Sequence, residues 1–326
     1  MEQSRHQVSC QPQEKIAIVG IGCRFPGKVS GPSALWELLS HPVDLSAPVP
    51  SWRFRKEGFY HENASHRGTT NSRGSYFLED DDVKAFDAQF FNISPQEAEA
   101  MDPQHRLLLE VVYEGLEDAG ISLVETSGTS TAAYVGLMSA DWQDLQSRDI
   151  DDAPRYLVTG GARSIASNRL SYFFNWHGPS ETIDTACSSS LVAVHHAVQA
   201  LQSGEARMAV AAGTNLLLAP EMYVMTSNLN MLSHKGKCHM WSSDADGYTR
   251  GEGVACVVLK TLSSAVADGD DVYGVIRGIG INQDGRTTGI TMPSSAAQST
   301  LIRNTYAKAG LDITRKEDQC QFFEAH

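Results

Sequence analysis

The chain has 326 residues, 41% hydrophobic and 20% charged, and at roughly 150 residues per domain it is long enough for about two domains around a large core. That excludes disorder over most of the length, a collagen-like repeat and a disulfide mini-scaffold. Lys+Arg is 26 against Asp+Glu 39, a net charge of −13, and no run of five basic residues occurs; this excludes nucleic acid and anionic membrane as partners, because both select a basic surface.

Residues 1–14 read as a polar tail with no apolar segment of the secretory kind. No apolar run reaches the ~18 residues of a membrane span. The six cysteines, Cys10, Cys23, Cys187, Cys238, Cys256 and Cys320, form no C-x-x-C pair and no disulfide framework. The expectation is a soluble cytoplasmic protein with reduced thiols.

The run Lys15-Ile16-Ala17-Ile18-Val19 predicts a buried strand that ends in a turn at Gly20 and Gly22. A dinucleotide loop would need glycine where Phe25 stands, and Pro26 spoils the helix start that would hold a pyrophosphate. Residues 40–80 read as a long irregular segment over the core, with 79–82 as a solvated acidic turn. Asp102 as cap and Pro103 as first residue open a helix. Its apolar stripe is Leu107, Leu108, Val111, Val112, Leu116 and Ala119, and Gly120 closes it. A strand follows over 132–138.

Gly178-Pro179 is a turn, and 182–186 reads as a strand. Over 188–203, Leu191, Val194, Val198 and Leu201 recur at three- and four-residue steps, which predicts an amphipathic helix ending at Gly204. With a buried strand over 208–212 this makes a strand–helix–strand crossover of the parallel-sheet type. Strands over 254–259 and 272–277, a helix over 298–309 closed by Gly310, and a last strand beginning at 321–323 complete the pattern. The fold class is α/β.

Cys187 falls between a strand and a helix, at the helix N-terminus. The dipole there favours a thiolate, and first-turn N–H groups can hold a developing oxyanion. A nucleophile at such an elbow suits acyl transfer; a small buried hydrophobe is the other reading. His234, Cys238 and His239 lack the spacing of a zinc site. Ser242-x-Asp244-x-Asp246-Gly247 has Gly253 where a calcium loop places glutamate. His195 and His196 read as packed or surface residues on the helix behind Cys187, and Gly274, Gly278 and Gly280 as turns or close backbone approaches.

Asp184-Thr185-Ala186-Cys187-Ser188-Ser189-Ser190 resembles the nucleophile motif of β-ketoacyl synthases. Ile16-Ala17-Ile18-Val19-Gly20 through Cys23-Arg24-Phe25-Pro26-Gly27 is similar to that family's opening, and Met101-Asp102-Pro103-Gln104 through Leu116-Glu117-Asp118-Ala119-Gly120 to its long helix. Asp246-Gly247-Tyr248, Arg250-Gly251-Glu252-Gly253, Asn282-Gln283-Asp284-Gly285-Arg286 and Glu324-Ala325-His326 add to the resemblance. Ser171-Tyr172-Phe173-Phe174-Asn175-Trp176-His177-Gly178-Pro179 and Phe322-Phe323-Glu324-Ala325-His326 are similar to fungal iterative, highly reducing polyketide synthases and their peptide-synthetase hybrids.

The resemblance implies a thiolase-like fold of two duplicated α-β-α-β-α halves, dimeric through the first half. Residues 15–262 would form the first half and 263–326 the beginning of the second. It implies decarboxylative Claisen condensation, with Cys187 as the acyl-accepting nucleophile and His326 as the first of two active-site histidines. The partner is an acyl carrier protein bearing phosphopantetheine thioesters, and neither cofactor nor metal is called for. The family's Gly-Thr-Gly-Thr loop, lysine, second histidine and glycine-rich oxyanion loop do not occur in these residues. The expectation is a truncated ketosynthase with an incomplete second half, inactive as an isolated chain. Two rivals stand beside it: a non-catalytic remnant that at most dimerises with an intact synthase, and a Cys/His thioester hydrolase or acyltransferase.

Overall fold

The computed structural model describes residues 14–325; residues 1–13 of the expected polar tail, and His326, lie outside the described residues. The apolar runs assemble into one mixed seven-stranded sheet. Its strands are β1 (Ile16–Phe25), β2 (Val29–Ser30), β3 (Ala132–Leu137), β4 (Ser180–Ile183), β5 (Met208–Asn215), β6 (Gly253–Thr261) and β7 (Gly274–Ile276). The order is β2-β1-β6-β5-β3-β4, with β7 also on β1. β3 is flanked by parallel β4 and β5, and β6 and β1 continue the sheet antiparallel. The crossover expected from the sequence is present: β4 leads through helix Ser189–Ser203 to β5, with β3 between the two strands.

Each face of the sheet carries its own core. On one, helix Pro103–Asp118 buries Leu107, Leu108, Leu109, Val111, Val112 and Leu116, each at most 1% exposed, against Val210, Ala212, Val254 and Val258. Burying such a side chain contributes about 1.5–3 kcal/mol, so this stripe sets the register of helix on sheet. Asp102 caps the helix by accepting from Gln104 N at 2.8 Å, Pro103 opens it, and Gly120 follows it at φ +69°. On the other face, helix Ser189–Ser203 lays Ala193, Ala197, Ala200 and Leu201 over Ala209, Ala211, Leu259 and Tyr134. Among the described residues, no helix is long and apolar enough to cross a membrane.

Four local expectations need correction. β1 does not end at Gly20; it runs to Phe25, and the turn comes at Gly27 and Lys28, with φ +83° and +62°. The two glycines serve packing instead: a Cβ on Gly20 would lie 2.3 Å from Gly115 O, and one on Gly22 2.1 Å from Val111 O. The strand expected at 182–186 is Ser180–Ile183, because pairing with β3 ends at Gly136↔Ile183. The acidic turn at 79–82 opens a short helix, Asp80–Lys84, in which Asp80 accepts from Lys84 at 2.9 Å and Asp82 lies 3.8 Å from Arg24 Nε. Residues 321–323 form no strand: they pair with none of the described strands, and Phe322 and Phe323 stand 79% and 57% exposed. Gly278 and Gly280 do mark close approaches, since their Cβ positions would fall 3.1 Å and 2.6 Å from atoms of helix Ser295–Lys308.

Two outcomes follow from this packing. Gly22→Ala meets backbone, which cannot yield as a flexible side chain does, so it should cost about 1–3 kcal/mol or more; an unchanged urea midpoint would contradict the packing. Burial pushes the Asp102 carboxyl up to about 7, with Asp141 adding to the shift and the Gln104 donors opposing it. The folded chain then holds this proton at pH values where the unfolded chain has lost it. Its contribution to stability therefore falls as pH rises from about 4 to about 7. Asp102→Asn keeps an acceptor for the cap and should flatten that part of the stability–pH curve. Parallel curves for the two proteins would contradict it.

Candidate active site

Cys187 sits on an elbow between β4 and helix Ser189–Ser203. After Ile183 the backbone leaves the sheet and is held by local polar bonds. Asp184 accepts from Arg163 Nη1 at 2.9 Å and from Ala186 N at 3.1 Å, and the same guanidinium donates to Met138 O at the end of β3 at 3.0 Å. Ser189 Oγ accepts from Thr185 N at 2.8 Å and donates to Ala186 O at 2.6 Å. Ser188 Oγ donates to Thr185 O and lies 2.9 Å from Thr185 Oγ1. These bonds hold Ala186 at φ +57°, a left-handed conformation that costs an L-residue roughly 1–2 kcal/mol. The chain reverses at Ala186 and leaves Cys187 exposed at the head of the helix.

The helix start differs in detail from the sequence expectation. Ser188 occupies the cap position without a side-chain cap, and Ser189 N–H is taken by Ala186 O at 3.1 Å. The helix rests on two glycines of the sheet. A Cβ on Gly136 of β3 would stand 2.5 Å from Ser190 N, and one on Gly213 of β5 2.6 Å from Ser190 Cβ.

Cys187 opens onto a cavity of about 580 Å³ whose lining includes Leu191, Val194, Ala211, Ala255, Val257 and Phe25. Thr214, Thr249, Arg250 and Glu252 also line it. Thr214 Oγ1, Thr249 Oγ1 and Arg250 Nε are buried there with no hydrogen-bond partner among the described residues. Glu252 is different. Its carboxylate pairs with Arg53, both side chains fully buried, and accepts from Leu78 N and Leu217 N at 2.8 Å each. Burial pushes this carboxyl up, while Arg53 and the two amides pull it down. The pair ties β6, the segment after β5 and the irregular 50s and 70s segments into one wall.

The other cysteines are placed differently. Cys23 and Cys256 are buried, and burial pushes the Cys256 thiol up to about 12 and raises that of Cys23. Buried thiols of this kind are inert near neutral pH. Cys238 and Cys320 are exposed and free. His234 pairs with Asp246 at 2.7 Å, and Cys238 Sγ accepts from Thr249 N at 3.2 Å, so their atoms are engaged separately. No group of three or more His, Cys, Asp or Glu side chains converges among the described residues. His196 lies 3.3 Å from Glu181 and edge-on to Tyr134, and His195 is partly buried behind it. His326 lies outside the described residues, so its placement relative to Cys187 is not described.

Arg163, Arg53, Gly136 and Gly213 escaped the sequence reading. Arg53 stands in an irregular segment without periodicity, and its partner Glu252 appeared only as a letter in a signature. A glycine inside a strand signals close backbone approach, which is the clue that Gly136 and Gly213 carried.

An exposed cysteine on an elbow above a mixed sheet, opening onto an apolar cavity, is the arrangement that the resemblance to a thiolase-like ketosynthase implied. The comparisons agree. Residues 13–265 match the β-ketoacyl synthase N-terminal domain and residues 273–326 the β-ketoacyl synthase C-terminal domain. The chain belongs to the β-ketoacyl synthase family. It is 62% identical to the reducing polyketide synthase BOA6 of Botryotinia fuckeliana, covering 97% of this chain and 13% of that one. It is 61% identical to a polyketide synthase-nonribosomal peptide synthetase of Aspergillus clavatus (96% and 8%), and 59% identical to the lovastatin nonaketide synthase polyketide component of Aspergillus terreus (98% and 10%). The oxazolomycin ketosynthase domain of Streptomyces albus superposes at TM-score 0.85 with 36% identity, over 91% of this chain and 51% of that one. A bacillaene synthase ketosynthase of Bacillus subtilis superposes at 0.82 with 38% identity, over 91% and 49%. The chain thus spans about a tenth of the curated relatives and about half of the solved ketosynthases.

Breaking the Arg53–Glu252 pair from one side leaves a buried charge uncompensated. Glu252→Ala should lower stability by about 3–5 kcal/mol, and Arg53→Met/Glu252→Leu by less than that single change. Denaturant midpoints of the two variants measure this; a double variant as unstable as Glu252→Ala would show that lost packing and the stranded Leu78 and Leu217 amides, not stranded charge, are the cause.

Proposed function

We propose that Cys187 is the acyl-accepting nucleophile of a decarboxylative condensing site in polyketide synthesis. The observation that carries this reading is an exposed cysteine, held by a polar elbow, at the mouth of an apolar cavity. In the first step the Cys187 thiolate attacks the carbonyl of an acyl thioester on a carrier protein. A C–S bond forms to Cys187 and the carrier's pantetheine thiol leaves. In the second, a malonyl-carrier loses carbon dioxide, and its carbanion attacks the Cys187 thioester. A C–C bond forms, the C–S bond breaks and the thiolate returns. His326 is assigned to hydrogen-bond the malonyl thioester oxygen as charge develops.

The cavity supports an alkyl or partly reduced acyl chain as the cargo. The similarity to fungal reducing synthases supports a carrier domain as partner. With a net charge of −13, this chain would meet an acidic carrier only through a local basic patch.

The proposal includes a homodimer. Among the described residues, β4 closes the sheet order and has β3 as its one neighbour, so a second β4 across a two-fold axis would cover its edge. Free thiols at the five described cysteines support a reducing, cytoplasmic setting.

The test is carbon dioxide release together with β-ketoacyl product, from an acyl thioester and a malonyl-carrier. Catalytic groups that act as a unit are strongly non-additive. Residues 1–326 alone should therefore show no turnover, lacking the family's second histidine, lysine and glycine-rich loop. The chain extended with the remaining ketosynthase segment of a close relative should condense, and its Cys187→Ala form should not. Turnover by residues 1–326, or by the extended Cys187→Ala form, would overturn the reading. Light scattering on the extended protein should report a dimer; a folded monomer would remove the β4 contact.

A further inference from the structure

We infer that Gly136 and Gly213 are positioning residues for Cys187: together they form the seat that sets the height of the nucleophile above the sheet. This rests on the reading of Cys187 as the acyl acceptor. The two glycines lie on adjacent strands at the same register, since β3 and β5 pair as Gly136↔Gly213. They leave one gap in the side-chain surface of the sheet, and the first turn of helix Ser189–Ser203 drops into it.

The two contacts differ in kind. A Cβ on Gly136 would stand 2.5 Å from Ser190 N, 2.6 Å from Ser189 C and 2.8 Å from Ser190 Cα. All three are backbone atoms, so nothing but movement of the helix relieves the clash. A Cβ on Gly213 would stand 2.6 Å from Ser190 Cβ, with Ser190 Oγ at 3.5 Å and Ser190 Cα at 3.7 Å. There the obstacle is one side chain. Neither glycine has a positive φ, so backbone conformation does not demand glycine at either site. Space does.

Displacing the helix start acts directly on the elbow. Ser189, next to the seated residue, holds Thr185 N and Ala186 O through its hydroxyl. Arg163 anchors the other side of the elbow to Met138 O, just past the end of β3. Lifting the helix by the roughly 1 Å that an ordinary van der Waals contact requires would pull Ser189 away from a turn still tied to the sheet. Misplacement of that size costs a reacting group about 100-fold in favourable cases. The geometry therefore ties the reactivity of Cys187 to the absence of a methyl group on the sheet beneath it.

The asymmetry of the contacts supplies the test. Gly136→Ala, Gly213→Ala, Ser190→Gly and the doubles Gly136→Ala/Ser190→Gly and Gly213→Ala/Ser190→Gly are made in the full 326-residue chain. Each is labelled with iodoacetamide at limiting dose over a pH series, and the peptides are mapped. Exposed Cys238 and Cys320 are the internal rate standards, and buried Cys23 and Cys256 report whether the fold holds. Both glycine variants should label Cys187 about tenfold more slowly relative to Cys320, with Cys23 and Cys256 still protected. Ser190→Gly should restore the rate in the Gly213 variant and leave the Gly136 variant impaired. General destabilisation would not produce that selective rescue. Unchanged Cys187 labelling in Gly213→Ala, with Cys23 and Cys256 protected, would overturn the seat, as would rescue of both variants or of neither. Should a single variant unfold and expose Cys23 and Cys256, refolding in Gly213→Ala/Ser190→Gly alone still supports the seat, and failure of both doubles to refold overturns it. A wild-type Cys187 no more reactive than Cys320 would count against the nucleophile reading, while the rate changes among variants would still decide the seat.

Discussion

Two helices lie against opposite faces of one sheet at distances that only glycine permits, and the rest of the molecule depends on that closeness. On one face, Gly20 and Gly22 of β1 meet the backbone of helix Pro103–Asp118, while Gly115 of that helix faces Cys256 of β6. On the other, Gly136 and Gly213 receive the first turn of helix Ser189–Ser203. Interiors are packed at crystal-like density and do not deform continuously. A methyl group at any of these contacts is therefore felt along the whole helix.

The two faces of the sheet bury different side chains. Helix Pro103–Asp118 buries large aliphatic side chains, and its polar end residues are drawn inward with it: Asp102 and Gln104 are 1% exposed. Gln104 bridges the ends of two strands, accepting from Leu216 N at 3.3 Å and from Ser139 Oγ at 3.3 Å. Helix Ser189–Ser203 instead buries three alanines with Val198 and Leu201, and leaves Leu191 68% exposed beside the cavity. Tyr273, Ile290 and Met292 are also more than half exposed. An apolar chain entering the cavity would meet small side chains on the sheet and larger ones on the helix, with Cys187 at the junction.

Much of this was legible in the sequence, for identifiable reasons. The helix at Pro103–Asp118 carried a cap, a proline and a full apolar stripe, three signals that agree. The crossover through Cys187 was legible because strand and helix periodicities meet there. What was missed depended on distant partners. Gly20 and Gly22 suggested a turn, since nothing local reveals a helix passing overhead. Residues 182–186 looked extended, but the pairing with β3 stops at Ile183, and Ala186 adopts a positive φ that alanine does not advertise. Arg53 gave no signal at all, because its meaning lies in Glu252, far along the chain.

The central claim is that this architecture delivers one particular sulfur to an acyl donor. Its most direct measurement is the site of acyl transfer: the intact chain is incubated with a short acyl thioester, the mass adduct is counted, and the modified peptide is mapped. The account predicts a single acyl group, on Cys187, with Cys23 and Cys256 unmodified. Acylation of Cys238 or Cys320 in its place, or no adduct on a chain whose buried cysteines remain protected, would contradict it.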